Sequence, residues 1–310
     1  MPATALYAGV NAAALTPLDP DLSPDIPRLV LRCRHLLERG CDGLGVLGTT
    51  GEATSFSVAE RIAVMEGLVA AGIPPARLLP GTGCAALTDT VELSRAAARL
   101  GIPGVLVLPP FYYKPLSDDG LFATYAALIE RTAGEVAIYL YNFPQMTGLP
   151  LSLGLIERLL RAFPGVVRGV KDSSGDFATM RAMARAFGSD GFEVYSGSDE
   201  FLLALLREGG AGSITACANV ASPASAKVLA AFRAGDDVRA ERAQAVLTAA
   251  RRACTTVALI PGLKALVARE TGDATWDRLR PPLLSLAEAD RARLFAAFDA
   301  SGLADLDAAA

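Results

Sequence analysis

Eight short, β-rich apolar runs alternate with longer helical patterns along the chain, and this rhythm predicts an α/β fold with parallel strands. Eight such units point to a closed (β/α)8 TIM barrel; a doubly wound open sheet, the alternative, is expected to carry fewer strands. A length of 310 residues also fits, since single barrels commonly reach about 250 residues before extensions. After about Gly235 the strand pattern stops. The chain beyond it is Ala- and Arg-rich and punctuated by Pro261, Pro281 and Pro282. The expected organisation is a barrel over residues 1–235 and a C-terminal helical extension over residues 236–310, read as a cap on the barrel or on a neighbouring subunit.

Each strand leads into its own helix. Strand 6–14 is expected to precede helix 28–38, and strand 43–47 to precede helix 58–70. Strand 78–81 comes before helix 89–99, and strand 104–108, an unbroken Gly-Val-Leu-Val-Leu, before helix 119–131. The fifth unit pairs strand 137–141 with helix 155–162. It lies in a charge-free stretch, 136–156, long enough to suggest a membrane span. Asn142, Pro144, Gln145, Gly148 and Pro150 interrupt it, and it reads better as strand, loop and helix start. Strands 166–170, 193–196 and 212–216 complete the set, with helices 178–186, 200–207 and 225–234. The Ala- and Arg-rich stretch 239–259 opens the helical extension.

Composition excludes several functions. A net charge of −4 leaves no electrostatic footprint for nucleic acid, and the arginines are dispersed along helices. No basic side chain precedes Arg28, so a basic signal-peptide start is absent; the expectation is a cytoplasmic protein without a membrane partner. The single histidine, His35, rules out a His-rich metal site and paired-His acid–base chemistry. Cys33, Cys41, Cys84, Cys217 and Cys254 are scattered, odd in number and without a CxxC, so they read as free thiols of a reducing compartment. An apolar share of 52% suggests subunit interfaces beyond the core.

The basic residues carry the sharpest clue. Of 29 basic side chains only Lys114, Lys171, Lys227 and Lys264 are lysines. Arginine serves for surface charge but cannot shed its proton, whereas a desolvated lysine can become a nucleophilic amine. Lys171 closes the apolar run Val166-Val167-Arg168-Gly169-Val170. Such a lysine either reaches water, pairs with Asp172, or does chemistry. In a barrel, catalytic groups gather where strands end and βα loops begin. Gly48-Thr49-Thr50-Gly51-Glu52, Gly81-Thr82-Gly83, Phe111-Tyr112-Tyr113-Lys114, Tyr141-Asn142-Phe143-Pro144, Lys171 and Gly197-Ser198-Asp199 all fall there. Hydroxyls and a strand-end lysine converging on one rim suit Schiff-base catalysis, in which a neutral amine attacks a ketone and the iminium stabilises an adjacent carbanion. A phenol such as Tyr141 can shuttle the protons, with Thr50 and Tyr112 as relays. Backbone N–H groups at Thr49-Thr50 can hold the carboxylate of a 2-oxo acid. No cofactor and no metal are demanded.

Gly48-Thr49-Thr50-Gly51-Glu52, Tyr141-Asn142-x-Pro144 and Gly169-Val170-Lys171-Asp172 stand in the order and spacing of the dihydrodipicolinate synthase/N-acetylneuraminate lyase family, which the chain resembles from about Tyr7 to Asn219. The resemblance implies a class I, pyruvate-dependent aldolase or related dehydratase on a (β/α)8 barrel. It implies that Lys171 forms the Schiff base and that Tyr141 donates and accepts protons. Thr49 and Thr50 would bind the pyruvoyl carboxylate and link the tyrosines, and Ile214 would contact bound pyruvate. Tyr112 would enter the neighbouring subunit's site across a tight dimer, in a homodimer or homotetramer. The partners implied are pyruvate or another 2-oxo acid and an aldehyde-type second substrate.

One departure bears on that second substrate. The family's synthases follow the Tyr-Asn-x-Pro motif with x-Arg-Thr-Gly, the arginine binding the carboxylate of aspartate semialdehyde. Here the stretch is Gln145-Met146-Thr147-Gly148, which disfavours a lysine-biosynthetic role unless Lys114 on the neighbouring loop compensates. Sialic acid lyases tend to carry Ser-Thr at Thr49-Thr50, which disfavours that substrate too. Cleavage or dehydration of a 2-keto-3-deoxy acid is the leading expectation, true dihydrodipicolinate synthase the runner-up, and a non-catalytic barrel that binds a 2-oxo acid the rival of another class.

Overall fold

The computed structural model describes residues 5–308, so the first four residues of the expected barrel region and the last two of the helical region lie outside the described residues. Seven strands form one parallel sheet in the order β2-β1-β7-β6-β5-β4-β3. They are β1 (Gly9–Ala12), β2 (Gly43–Leu44), β3 (Gly104–Val107), β4 (Ala137–Asn142), β5 (Val167–Asp172), β6 (Glu193–Ser196) and β7 (Gly212–Thr215). The expected strand 78–81 is not a regular strand. It makes one parallel bridge to each edge of the sheet, Leu44 with Leu78 and Gly81 with Leu106. Leu79 N donates to Leu44 O (2.9 Å) and Gly81 N to Val46 O (2.8 Å) on one flank. On the other, Thr82 N donates to Leu106 O (3.0 Å) and Leu106 N to Pro80 O (2.9 Å). Pro80 has no N–H to give, which interrupts the ladder without opening the ring. The eight segments therefore close a TIM barrel.

Other boundaries differ from the expectation for local reasons. Strand 43–47 is regular only over β2, and the chain beyond it reaches a left-handed Leu47 (φ 55°) at the turn into the Gly48-Thr49-Thr50 loop. β5 carries its pairing past Val170 through Asp172, so Lys171 stands inside a strand and not just beyond one. The helices α1 (Ile26–Glu38), α2 (Val58–Ala70), α3 (Leu87–Arg99), α4 (Asp118–Arg131), α6 (Leu153–Ala162) and α7 (Phe177–Phe187) keep the predicted rhythm, with a short α5 (Pro144–Thr147) between β4 and α6. Ser152 starts α6 two residues early by accepting from Leu155 N, as an N-cap serine does. Helix 200–207 divides into a 3₁₀ turn (Asp199–Phe201) and α8 (Leu202–Arg207); α9 (Ala218–Arg233) begins earlier than expected and kinks at Ala221 ahead of Pro223.

Beyond Gly235 come α10 (Asp237–Cys254), α11 (Leu259–Thr271), α12 (Glu288–Asp299) and α13 (Leu303–Ala308). Leu247, Ala250, Leu263, Leu266 and Leu294 on these helices share one apolar core with Leu29, Leu36 and Val228 of the barrel's helices. Gln244 ties α10 to the 3₁₀ turn and α8 that follow β6, accepting from Leu203 N and donating to Asp199 O, both at 3.0 Å.

The barrel interior is layered as alternation requires. Outward residues such as Leu140, Val170 and Val194 join the core beneath the helices, whereas Tyr7, Leu79, Leu106, Tyr139, Tyr141, Tyr195 and Ile214 face inward. In the lower row, Tyr139, Gly169 and Glu193 are register partners. Gly169 and Gly104 make room for the Tyr139 ring: a Cβ at either position would lie 2.9 Å from it. The next row up holds Tyr141, Lys171 and Tyr195.

Candidate active site

Lys171 enters from β5 with only 5% of its surface exposed. Its Nζ lies over the face of the Tyr141 ring, 4.4 Å from the centroid, and Tyr141 stacks in turn on Phe143 (5.7 Å). The neighbouring carboxylate is turned to other work. Asp172 Oδ2 accepts from Asn142 Nδ2 (2.6 Å), and Oδ1 accepts from Ser174 N (2.9 Å) and Ser174 Oγ (2.5 Å). Asn142 Oδ1 also accepts from Leu151 N (3.0 Å), so the Tyr141-Asn142 and Lys171-Asp172 segments form one rigid corner. Burial pushes the Asp172 carboxyl above its ordinary range, against the hydrogen bonds from Ser174 and Asn142. Of the readings open to Lys171, pairing with Asp172 is thereby excluded: among the described residues no carboxylate pairs with the amine.

Lys171, Tyr141, Thr49 and Thr50 line one cavity of ≈ 420 Å³, together with Phe143, Met146 and Ser173. A second cavity of ≈ 240 Å³ continues past Thr49, Tyr141 and Met146 toward Phe111. The threonines are held by a tight loop. Thr16 Oγ1 donates to Gly51 O (2.8 Å), and a Cβ at Gly51 would stand 2.9 Å from Ala14 O, which explains glycine there. Glu52 closes the loop in a left-handed conformation (φ 58°) and sends its carboxylate into the protein. There it pairs with Lys264 of α11 at 2.5 Å, both side chains fully buried, while Lys264 donates to Arg278 O (2.7 Å) and Arg280 N to Glu52 Oε2 (3.2 Å). Burial pushes the Lys264 amine below its ordinary value, and Glu52 opposes that shift.

The remaining predicted residues fall less close. Ile214 is fully buried in the barrel interior with Tyr141 but does not line the cavity. Tyr112 does not reach the site of its own chain: it is 76% exposed and packs edge-on against Tyr113 (5.4 Å). Met146 is exposed at the rim of both cavities. Lys114 lines neither, but its stem lies against Gly148, where an added Cβ would come within 2.9 Å of Lys114 Cε.

Sequence reasoning missed the Glu52–Lys264 pair, although a lysine in the apolar Ala- and Leu-rich run of α11 was a signal for it. It also missed Arg251 of α10, which lines the cavity with Lys171 and carried no signal among so many helical arginines. The cysteines match expectation: all five are free thiols, and Cys33, Cys41, Cys217 and Cys254 are buried. Burial pushes Cys33 and Cys41 up to about 12, so neither is a ready thiolate. Among the described residues no helix is long and apolar enough to cross a membrane.

Known proteins share this fold over nearly the whole chain. The model of the dihydrodipicolinate synthetase family matches residues 6–301. A DapA-like lyase of Chloroflexus aurantiacus is 38% identical over 94% of this chain and 96% of its own length. The 4-hydroxy-tetrahydrodipicolinate synthase of Synechococcus sp. (strain CC9605) is 33% identical over 91% of each chain. Among solved structures, dihydrodipicolinate synthase from Agrobacterium tumefaciens matches with a TM-score of 0.83 and 33% identity, over 94% of this chain and 98% of that one. A prophage protein of the dihydrodipicolinic acid synthase family from E. coli K12, in complex with pyruvate, matches with a TM-score of 0.89 and 28% identity, over 96% and 100%. The chain belongs to the dihydrodipicolinate synthetase family and is an enzyme, a class I aldolase or lyase of that family.

Proposed function

We propose that Lys171 attacks the ketone carbon of pyruvate or a related 2-oxo acid, loses water to give an iminium, and through it makes or breaks the bond between C3 and an aldehyde carbon. The observation that carries this reading is a desolvated amine with no carboxylate partner, set over Tyr141 and open to a cavity. Tyr141 moves protons to and from the carbinolamine oxygen, Thr49 and Thr50 hold the 2-oxo acid's carboxylate, and Ile214 packs with Tyr141 in the barrel interior behind the site. Tyr112 completes the relay across a homodimer or homotetramer interface; its exposure on a single chain supports that placement. Free, buried thiols suit a cytoplasmic enzyme.

The reaction we favour is aldol cleavage, or dehydration, of a 2-keto-3-deoxy acid. Met146 offers soft apolar surface at the cavity rim where the family's synthases place a cation. A substrate carboxylate there would forgo a charge-assisted hydrogen bond worth about 1.5–3 kcal/mol, or about ten- to a hundredfold in efficiency. The runner-up, condensation of pyruvate with aspartate semialdehyde, draws on the named activity of the Synechococcus relative and on Lys114, whose stem lies against Gly148. Trapping with pyruvate and borohydride is expected to add a stable mass at Lys171; no adduct, or one on another lysine, overturns the proposal. A screen of 2-keto-3-deoxy acids and aldehydes beside aspartate semialdehyde then decides between the two reactions. Aspartate semialdehyde as the best acceptor by a wide margin would install the runner-up.

A further inference from the structure

We propose that Arg251 is a specificity-determining residue that receives an anionic group, carboxylate or phosphate, at the far end of the second substrate. The inference rests on the Schiff-base reading of Lys171 and adds the class of molecule that joins the pyruvoyl unit. Arg251 lies one turn before the end of α10, half-buried, in the wall of the cavity that holds Lys171, Thr49 and Thr50. α10 is fixed there by Gln244 on the 199–203 backbone, by Arg252 on Glu200 (2.8 Å), and by Asp237 and Glu241 on Arg207 (2.8 and 2.5 Å). The guanidinium is therefore presented by a rigid helix and not by a mobile loop.

Neither of the carboxylates near it forms an ion pair with it among the described residues. Glu200, the acidic side chain in the same wall, is the partner of Arg252. Asp199 is fully buried; its Oδ1 accepts from Thr215 Oγ1 at 2.7 Å, and its Oδ2 has no hydrogen-bond partner among the described residues. Burial raises Asp199 above its ordinary range and favours its neutral form, although Arg251 pulls the other way. Arg251 forms no ion pair among the described residues. A guanidinium cannot neutralise itself by losing a proton, so a half-buried one in a cavity wall calls for an anion. Lys171 cannot also hold that anion, because its charge is spent in the iminium. The planar fork of Arg251 suits a carboxylate or phosphate bound through two oxygens. Met146 and Arg251 thus mark different parts of the wall: the first lacks the charge that the synthases use, and the second supplies one from the C-terminal helices.

The test pairs acceptors that differ in end charge alone: 4-oxobutanoate against 4-oxobutanamide, and glyceraldehyde 3-phosphate against glyceraldehyde, each condensed with pyruvate. Wild-type protein is expected to favour the anionic member through KM, and the pair with the larger ratio tells carboxylate from phosphate. Arg251→Gln is expected to cut that ratio by about ten- to a hundredfold, and Arg251→Lys to restore part of it. Should Arg251→Gln fail to fold, the ratio in Arg251→Lys decides, since that variant keeps the charge beside Asp199 but loses the fork. If both members of each pair fall together, with a lowered Tm, Arg251 merely supports Asp199 and the proposal is overturned. An unchanged ratio overturns it too. Borohydride trapping on wild-type protein separates this from the underlying reading: an adduct at Lys171 with no charge preference fails the arginine alone, whereas no adduct fails both.

Discussion

Glu193 at the floor of the barrel and Lys171 at its mouth are both buried, both charged by type, and both flanked by tyrosines on the same three strands. Glu193 is enclosed by donors. Tyr195 Oη donates to its Oε2 at 2.6 Å and Tyr139 Oη at 2.9 Å, while Arg168 Nη2 and Leu6 N reach its Oε1 at 3.3 Å. Burial, reinforced by Glu193, pushes both phenols well above their ordinary range, so they stay protonated and act as fixed donors. Two residues further along each strand, Lys171 has an aromatic face on one side and a cavity on the other. A buried charge surrounded by partners is structure, and a buried charge facing space is held ready for a ligand.

Exchanging the two charged groups for neutral ones tests that contrast most severely. Lys171→Met is expected to abolish the pyruvate adduct and turnover while leaving Tm unchanged or raised, because it removes a desolvated amine that nothing pairs. Glu193→Ala should do the reverse. It leaves two phenols and a guanidinium without their acceptor, at a cost of about 3–5 kcal/mol, and the Lys171 adduct should persist in whatever folds. Thermal unfolding and adduct mass, measured on both variants, check the pair. A Lys171→Met protein as destabilised as Glu193→Ala would erase the distinction.

The tyrosines repeat the comparison at smaller scale. Tyr141→Phe should reduce turnover by about a hundredfold to ten-thousandfold with little loss of stability, because Tyr141 lines the cavity beside Lys171. Tyr139→Phe removes a donor from Glu193 and should cost about 1–3 kcal/mol of stability with kcat nearly intact. Steady-state kinetics beside denaturant unfolding separate them, and equal kinetic damage in both would mean that the floor takes part in proton transfer.

The periodicity made the barrel legible because every βα unit repeats the same two patterns, and β5 and β6 emerge close to where alternation puts them. It failed at 78–81, where a proline breaks the ladder but the neighbours still close over it. At the site, Lys171, Tyr141 and the Thr49-Thr50 loop were readable because strand ends and short motifs are local features, and the structure gathers them at one cavity. What the sequence could not show was partnership. Tyr139 and Tyr141 lie on one strand and look alike in sequence, yet one is pinned to a carboxylate 54 positions later and the other faces space. Glu52 belongs to the Thr49-Thr50 motif, but its partner Lys264 comes from the region expected to be a cap.

A charge pair outside the barrel supplies the mild end of the same scale. Glu60 on α2 is bound by the guanidinium of Arg280, whose Nε also donates to Leu22 O (2.7 Å) and whose Nη1 donates to Ser55 O (2.6 Å). Arg280, with hydrogen bonds from Ser57, holds the Glu60 carboxyl down at about 2, against an ordinary value of 4.5. A carboxyl depressed on folding adds stability above its unfolded value and loses that contribution as pH falls through its folded one. Glu60→Gln is therefore expected to lower Tm modestly at pH 7, with the gap to wild type closing between about pH 4.5 and pH 2. Calorimetry across that range reads the gap directly. Because solvent reaches this pair, the effect should also shrink in high salt, as a buried group such as Glu193 would not allow. A gap that widens on acidification, or that ignores salt, would show that Glu60 belongs with the enclosed charges of the floor and not with the surface.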